Sequence, residues 1–342
     1  MSKITINVVA AKANVSKKTV SRVLNNEPNV SDETRKKVTD IAEDLGYKPN
    51  PLARGLASNQ SFILALLYDN PNTNYINNIQ TGALKICQDE EYHLLIHPCK
   101  ASSKELVNNV AELISHSRLD GLVLTPPLSD FPELINFLLA NKTPFVRIGA
   151  TENLTCSSAV VSNDEQTSFE MTQYLISLGH TAIGFVKGHP QHNSAAERFL
   201  GFQRALKSAN IKIHEQWVQQ GDYTFNSGEN CARQILTMAE KPSAIFCSND
   251  YMAAGVLKVA NQLEISVPHQ LSVTGFDDAP ISRHIWPTIS TIQQPVEDMA
   301  RQATELLIEK LKITDSKYAT LSLESRLLKR ESTSPPFKGK KS

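Results

Sequence analysis

The chain has 342 residues, 41% of them hydrophobic and 20% charged, with 35 Lys and Arg balancing 35 Asp and Glu. This composition describes a folded chain of two or three structural units, and no apolar run reaches the roughly 18 residues of a membrane span. Five cysteines (Cys87, Cys99, Cys156, Cys231 and Cys247) lack paired spacing, which argues against a disulfide framework or a zinc site and for a reducing, cytoplasmic setting.

The zero net charge hides an asymmetry. Residues 1–60 hold ten Lys and Arg against six Asp and Glu, leaving an acidic surplus in the remainder. A small basic head on a larger acidic body suits a polyanion reached by the head alone. The opening MSKITINVVAAKA has no signal-peptide layout.

Thr5 is placed to cap a first helix over Ile6 to Ala13, with Ile6, Val9, Ala10 and Ala13 on one face. Asn14 tolerates the left-handed conformation that ends such a helix. Val15 packs inward, and Ser16 caps a second helix running to Asn25. At about 100° per residue, Val20, Val23 and Leu24 share one face of that helix, and Lys18, Ser21, Arg22 and Asn25 the other. A basic helix face taken alone is more often a solvated surface than a nucleic-acid reader. Its neighbours change that reading, because two short helices joined by a tight turn form a helix-turn-helix. A third helix starts after Ser31, with Asp32 and Glu33 complementing its dipole. Val38, Ile41, Ala42 and Leu45 make its stripe, and Gly46 ends it.

Lys48-Pro49-Asn50-Pro51 breaks the helical pattern, and Asn50 with Pro51 then opens a short helix bearing Ala53, Leu56 and Ala57. The rest alternates apolar runs with helical stretches, the rhythm of an α/β fold with parallel sheets. Strands are expected at 62–68, 93–96, 121–124, 145–148, 159–161, 183–186, 244–247 and 271–275. Helices are expected at 76–90, 104–117, 165–178, 195–209, 226–239, 250–263 and 295–312. Two such sets indicate two doubly wound subdomains with a ligand cleft between them, outside the carboxyl ends of the strands.

No glycine-rich phosphate loop and no nucleophile elbow is present, so an enzyme is not expected. His189 and His192 read as loop histidines without a patterned third ligand, and no metal or cofactor is expected. Asp277 and Asp278 are adjacent at a strand end and point different ways, which does not suit paired acid–base work.

The run TVSRVLNNEPNVSDETRKKVTDIAEDLGYKPNPLARGLAS resembles the N-terminal signature of the lactose-repressor (LacI/GalR) family of bacterial transcription regulators, and the likeness extends through nearly the whole chain. It implies an N-terminal all-α helix-turn-helix head plus an α/β body of two doubly wound parallel-sheet subdomains, similar to periplasmic binding proteins. By the resemblance Lys17, Lys18 and Arg22 read bases, while Thr19, Ser21 and Asn25 hold phosphates, and Ser16 is a further DNA-binding position. Arg can bond a guanine edge in two places, which suits that role. Hinge helices from two subunits enter the minor groove, where Ala53 lies on the apolar face and Leu56 is the wedge. Gly55 weakens that helix, so folding of the hinge is expected to couple to DNA. Val8, Lys12 and Asn14 depart from the family pattern.

In the body the resemblance makes Arg198 the central effector contact, with Asn249 and Asp277 as further contacts and Tyr223 as the stacking aromatic. Asp69, Asn70 and Tyr75 are expected to line the cleft, and Gly149 leaves room where some members carry a larger side chain. The implied protein is a cytoplasmic homodimeric repressor of a carbohydrate operon, binding double-stranded operator DNA and a sugar or sugar-phosphate effector. A nucleoside- or purine-type corepressor remains open, as does a sugar-binding or sugar-active body fused to a DNA-binding head. The expected divisions are a head at 1–47, a hinge at 48–61 and a body at 62–331. Within the body, 62–161 and 292–320 form one subdomain, and 162–291 and 321–331 the other. The tail at 332–342 carries a basic run without an apolar heptad, so it is expected to be disordered and the assembly a dimer.

Overall fold

The computed structural model describes residues 4–24, 29–47, 60–313 and 317–337. Two compact units divide at Phe62 and Ile63.

In the first unit, α1 spans Ile6–Ala13, α2 Lys17–Leu24 and α3 Asp32–Asp44. Asn14 adopts φ 55°, the left-handed end expected of it, and its N–H returns to Ala10 and Ala11. Ser16 Oγ accepts the Thr19 N–H at 3.0 Å, and Ser31 accepts the Thr34 N–H at 3.3 Å, so both helices are capped by side chains. Thr5 holds the cap position of α1, but its side chain makes no capping bond. Val9, Ala10, Ala13, Val20, Val23, Val38 and Ala42 form the small core, with Val15 and Leu45 packed against it.

The second unit holds two parallel sheets. Its elements run β1 (Ile63–Tyr68), α4 (Thr73–Asp89), β2 (His93–Pro98), α5 (Leu106–Ser117), β3 (Gly121–Leu124), α6 (Pro132–Ala140), β4 (Phe145–Ile148) and β5 (Ser158–Ser162). Then come α7 (Asp164–Ser177), β6 (Ile183–Lys187), α8 (Asn193–Ser208), β7 (Val218–Gln220), α9 (Phe225–Leu236), β8 (Ala244–Cys247), α10 (Asp250–Gln262) and β9 (Ser272–Thr274). After the short α11 (Ile281–His284) follow β10 (Thr291–Gln293), α12 (Val296–Lys312), β11 (Thr320–Leu323) and β12 (Arg326–Leu328). The first sheet has the order β11-β5-β4-β3-β1-β2 and the second β7-β6-β8-β9, all parallel. The central strands β3, β4 and β8 are buried along their whole length, as strands covered on both faces must be.

Three placements differ from the sequence expectations. The helix α6 and the strands β7, β10, β11 and β12 are additional to the expected elements. The chain stays with the first sheet through Leu323, because β11 pairs with β5, whereas the expected boundary falls at residue 320. The segment 332–337 is ordered. Ser332 is fully buried, donates to the Val273 carbonyl and accepts the Ser290 N–H, and the Ser334 carbonyl meets His180 Nε2 at 2.9 Å. Polar side chains that find partners inside the fold thus override the tail's Pro- and Ser-rich composition. Residues 338–342 lie outside the described residues.

Close helix packing sets the position of the site. At Gly201 in α8 a side chain would meet the Glu165 carbonyl of α7 at 2.1 Å. The missing Cβ lets α8 lie against the start of α7, three residues beyond Arg198.

Candidate functional site

The carboxyl ends of the strands in the two sheets face a shared polar cavity. The exit of β1 supplies Asn70 and Asn72, and the first turn of α4 supplies Tyr75. Pro126 follows β3, Gly149 follows β4, and Ser162 and Asp164 stand where β5 passes into α7. From the second sheet come His192, Ser194 and Arg198 after β6, Tyr223 after β7 and Asp277 after β9. Gln294 and Met299 close it from the last crossover.

Arg198 is 5% exposed and stands at the centre. Its Nε donates to Asp164 Oδ2 at 2.8 Å, its Nη1 donates to the Ser248 carbonyl, and Asp277 Oδ1 lies 3.6 Å from Nη1. The guanidinium plane lies over Phe276, 3.7 Å from the ring centre. Burial by itself would lower its pKa, but Asp164, Tyr223 and Asp277 more than offset this, so the group stays charged.

Asp277 has φ 103°, a conformation that costs an L-residue about 1–3 kcal/mol and is commonest at functional sites. It is held there by its N–H to the Ile292 carbonyl and by Asn72 Nδ2, which donates to Oδ2 at 3.2 Å. Burial pushes its carboxyl up to about 7 despite Arg198, and Asp164 adds to the rise. Asp278 turns the other way, to Arg330 and Gln293.

The Tyr223 ring stands 5.8 Å from the Arg198 guanidinium and edge-on to His192. Its hydroxyl is buried beside the Ser194 side chain, and burial raises its pKa. His192 is 4% exposed, and burial, helped by His189 and Arg198, pushes its pKa down to about 3, so the ring is neutral. Burial and the nearby Asp277 and Asp164 raise the Tyr75 phenol. Among the described residues no cluster of His, Cys, Asp and Glu could hold a metal ion.

Of the expected effector residues, the structure brings Asn70, Tyr75, Arg198, Tyr223 and Asp277 to this cavity and leaves two outside its lining. Asp69 turns away and accepts the Ala101 N–H at 2.7 Å, tying the β1 exit to the β2 exit. Asn249 is fully buried as the cap of α10, accepting the Met252 N–H, and its Nδ2 holds the Tyr223 carbonyl at 2.9 Å. It shapes the site through Tyr223 without lining it. Sequence reasoning does not find Asn72, Asp164, His192 and Ser194 as site residues. Asn72 carries a readable signal, since it caps α4 by accepting the Asn74 and Tyr75 N–H groups.

In the first unit Lys17 and Lys18 are exposed on the first turn of α2, with Ser21 and Arg22 half-buried beyond them. The Ser16 and Thr19 hydroxyls lie 2.9 Å apart within the cap. Asn25, Ala53 and Leu56 lie outside the described residues.

Residues 5–50 match the family described as bacterial regulatory proteins, lacI family, and residues 172–333 match the periplasmic binding protein-like domain. The chain is 31% identical over 328 residues to the ribose operon repressor of Haemophilus influenzae, spanning 96% of this chain and 98% of that one. It is likewise 31% identical over 338 residues to the transcriptional repressor PurR of Escherichia coli, spanning 98% of each. Among solved structures it is similar to the lac repressor dimer bound to operator and the anti-inducer ONPF, with TM-score 0.80, 25% identity and coverage of 97% and 100%. The transcriptional regulator CelR in complex with cellobiose superposes with TM-score 0.74 at 27% identity, covering 96% and 100%.

Proposed function

The chain belongs to the lacI family of bacterial regulatory proteins, and from that premise we propose a ligand-controlled repressor of a carbohydrate operon, acting in the cytoplasm as a homodimer. The observation that carries this reading is the Arg198–Asp164–Asp277 constellation at the converging strand ends. Paired carboxylates and a guanidinium fork bond neighbouring hydroxyls of a sugar, while Tyr223 offers a ring face.

Two copies of α2, each leading with Lys17 and Lys18, would read the half-sites of a pseudo-palindromic operator. Arg22 would bond a base edge, with Ser16, Thr19, Ser21 and Asn25 against the backbone and Ala53 and Leu56 in the minor groove. An effector that binds one closure of the two sheets better than another shifts the population able to hold DNA. Thermal-shift screening of sugars tests the cleft, since a ligand of the native state raises the melting temperature. A gel shift with each stabilising sugar tests the coupling. Arg22→Ala is expected to abolish specific operator binding at fixed salt, and an unchanged affinity would remove α2 from the reading. A nucleobase corepressor is the second reading, favoured by the three rings of Tyr75, Tyr223 and His192 around the cavity. Stabilisation by purines and by no sugar would select it.

A further inference from the structure

The charges around the cavity restrict what can enter it. This inference rests on the cleft being the effector site. Arg198 is the one charged cation among the lining residues, against the carboxylates of Asp164 and Asp277. Its Nε is already committed to Asp164, and its Nη1 to the Ser248 carbonyl. His192 lines the same wall as a neutral ring. A third carboxyl group, Glu197, is half-buried one residue before Arg198, and burial, with Asp164 adding, pushes it up to about 7.

The helix ends add little positive potential. Asn72 satisfies the first N–H groups of α4, and α7 opens on Asp164 and Glu165. Of these three helix starts, that of α8 alone lacks both a side-chain cap and an acidic first turn, and Asp164 and Glu197 counter it. The rest of the lining is neutral: the amides of Asn70, Asn72 and Gln294, the hydroxyls of Ser162 and Ser194, the phenols of Tyr75 and Tyr223, and the apolar Pro126, Gly149 and Met299. The Tyr223 hydroxyl is buried beside the Ser194 side chain and can donate to or accept from a ligand hydroxyl.

We propose that the cleft takes a free sugar, neutral or bearing an ammonium, and rejects the phosphate ester of the same sugar. A phosphate monoester would bring a charge of about −1.5 to −2 beside Asp164 and beside the Asp277 carboxyl, which burial already holds up to about 7, with Arg198 as the single counter-charge for all three. Hydroxyls or an amine instead donate to Asp164 and Asp277 and leave the Arg198 pair intact.

The test is calorimetry on the full chain with matched probes at constant ionic strength: ribose with ribose 5-phosphate, and glucose with glucosamine and glucose 6-phosphate, extended to other pentose and hexose sets. The expected result is a free sugar or amino sugar that binds at least tenfold tighter than its own ester. An ester that binds as tightly as the free sugar, or tighter, overturns the charge inference and leaves the sugar reading standing. Binding by no member of any set, with operator binding intact, overturns the sugar reading itself. Size could also exclude an ester, so Asp277→Asn separates the causes. Electrostatic exclusion predicts that the ratio of free-sugar to ester affinity narrows severalfold in that variant. An unchanged ratio would assign the rejection to shape and overturn the proposal.

Discussion

Among the described residues two arginines are buried, one beside each sheet, and they stand in opposite surroundings. Arg147, on β4 and 1% exposed, spends every nitrogen on a fixed acceptor: Nε on Ser157 Oγ, Nη1 on the Ser129 and Glu152 carbonyls and Nη2 on the Asn153 carbonyl. Asp130 lies 3.7 Å away as its nearest carboxylate. Arg198 is 5% exposed and, although Nη1 also donates to the Ser248 carbonyl, its other partners are the carboxyl groups of Asp164 and Asp277 beside a cavity. A guanidinium bound to carbonyls cannot exchange them for a ligand without orphaning backbone groups. One balanced by carboxylates can share them, because a carboxylate accepts several donors and can itself take up a proton. Burial alone therefore does not distinguish a structural arginine from a binding one; the chemistry of its partners does.

The largest effect should come from Arg147→Ala. Three carbonyls and a serine hydroxyl would lose their donor, with Ser129 and Ser157 fully buried, at a cost of about 3–5 kcal/mol. Urea unfolding would read this as a large fall in midpoint, with operator and ligand binding lost alongside. Arg198→Ala should cost less, about 1–3 kcal/mol, because the Asp277 carboxyl, already held up to about 7, can take up a proton in place of its lost counter-charge. Its deficit should therefore shrink as the pH is lowered, while operator binding persists and the ligand response disappears. A deficit equal to that of Arg147→Ala at pH 5 would erase the contrast between the two sites.

Asp277→Asn should move stability the other way. Its folded carboxyl titrates near 7, above the ordinary value of 3.8, so the native state holds a proton that the unfolded chain has lost. Stability then falls as pH rises from about 4 through 7, and is fully present only below the unfolded value. Asparagine carries no such charge and keeps an oxygen for Asn72. A tenfold difference in proton affinity between the folded and unfolded chains is worth about 1.36 kcal/mol, and relaxation around the site removes part of that. The variant should therefore gain about 2 kcal/mol at pH 8 and nothing at pH 4. Thermal melts across that range would read it, and a gain independent of pH would sink the assignment.

These contrasts are only partly legible in the chain. The head is written locally: Asn14, Ser16, Ser31 and Gly46 punctuate helices whose limits a periodicity reading finds. The buried strands read as apolar runs for the same reason. The strands β7, β10, β11 and β12 are three or four residues long, and β7, β11 and β12 are exposed or half-buried throughout, so no alternation or apolar run announces them. At the site, Asp69 and Asn70 are neighbours in one exit loop, and only the fold decides which turns to the cavity. Asp164 escapes a sequence reading because its meaning depends on Arg198, which is 34 residues away along the chain. Asn249 carries a local signal, an Asn opening a helical stretch, that points to capping.

The smallest predicted effect concerns how the sheets close. Asn193, the first residue of α8, donates from Nδ2 to Asp130 Oδ2 at 3.2 Å and reaches Glu152 Oε1 at 3.5 Å across the cleft. Asp130 is not dependent on it: the Thr151 N–H and hydroxyl and the Glu152 N–H also bond that carboxylate. Asn193→Ala therefore removes a contact between the two sides without leaving a buried charge unpaired, so the melting temperature should barely change. What changes is the fraction of molecules in the closed form, and apparent affinity scales with that fraction. A net bond of about 0.5–1.5 kcal/mol translates into a roughly two- to tenfold weaker apparent affinity for the effector. The same variant in the Asp277→Asn background separates the two contributions. Additive losses would show that Asn193 acts on closure alone, whereas an unchanged affinity in the single variant would mean that the bridge between the sheets does not govern binding.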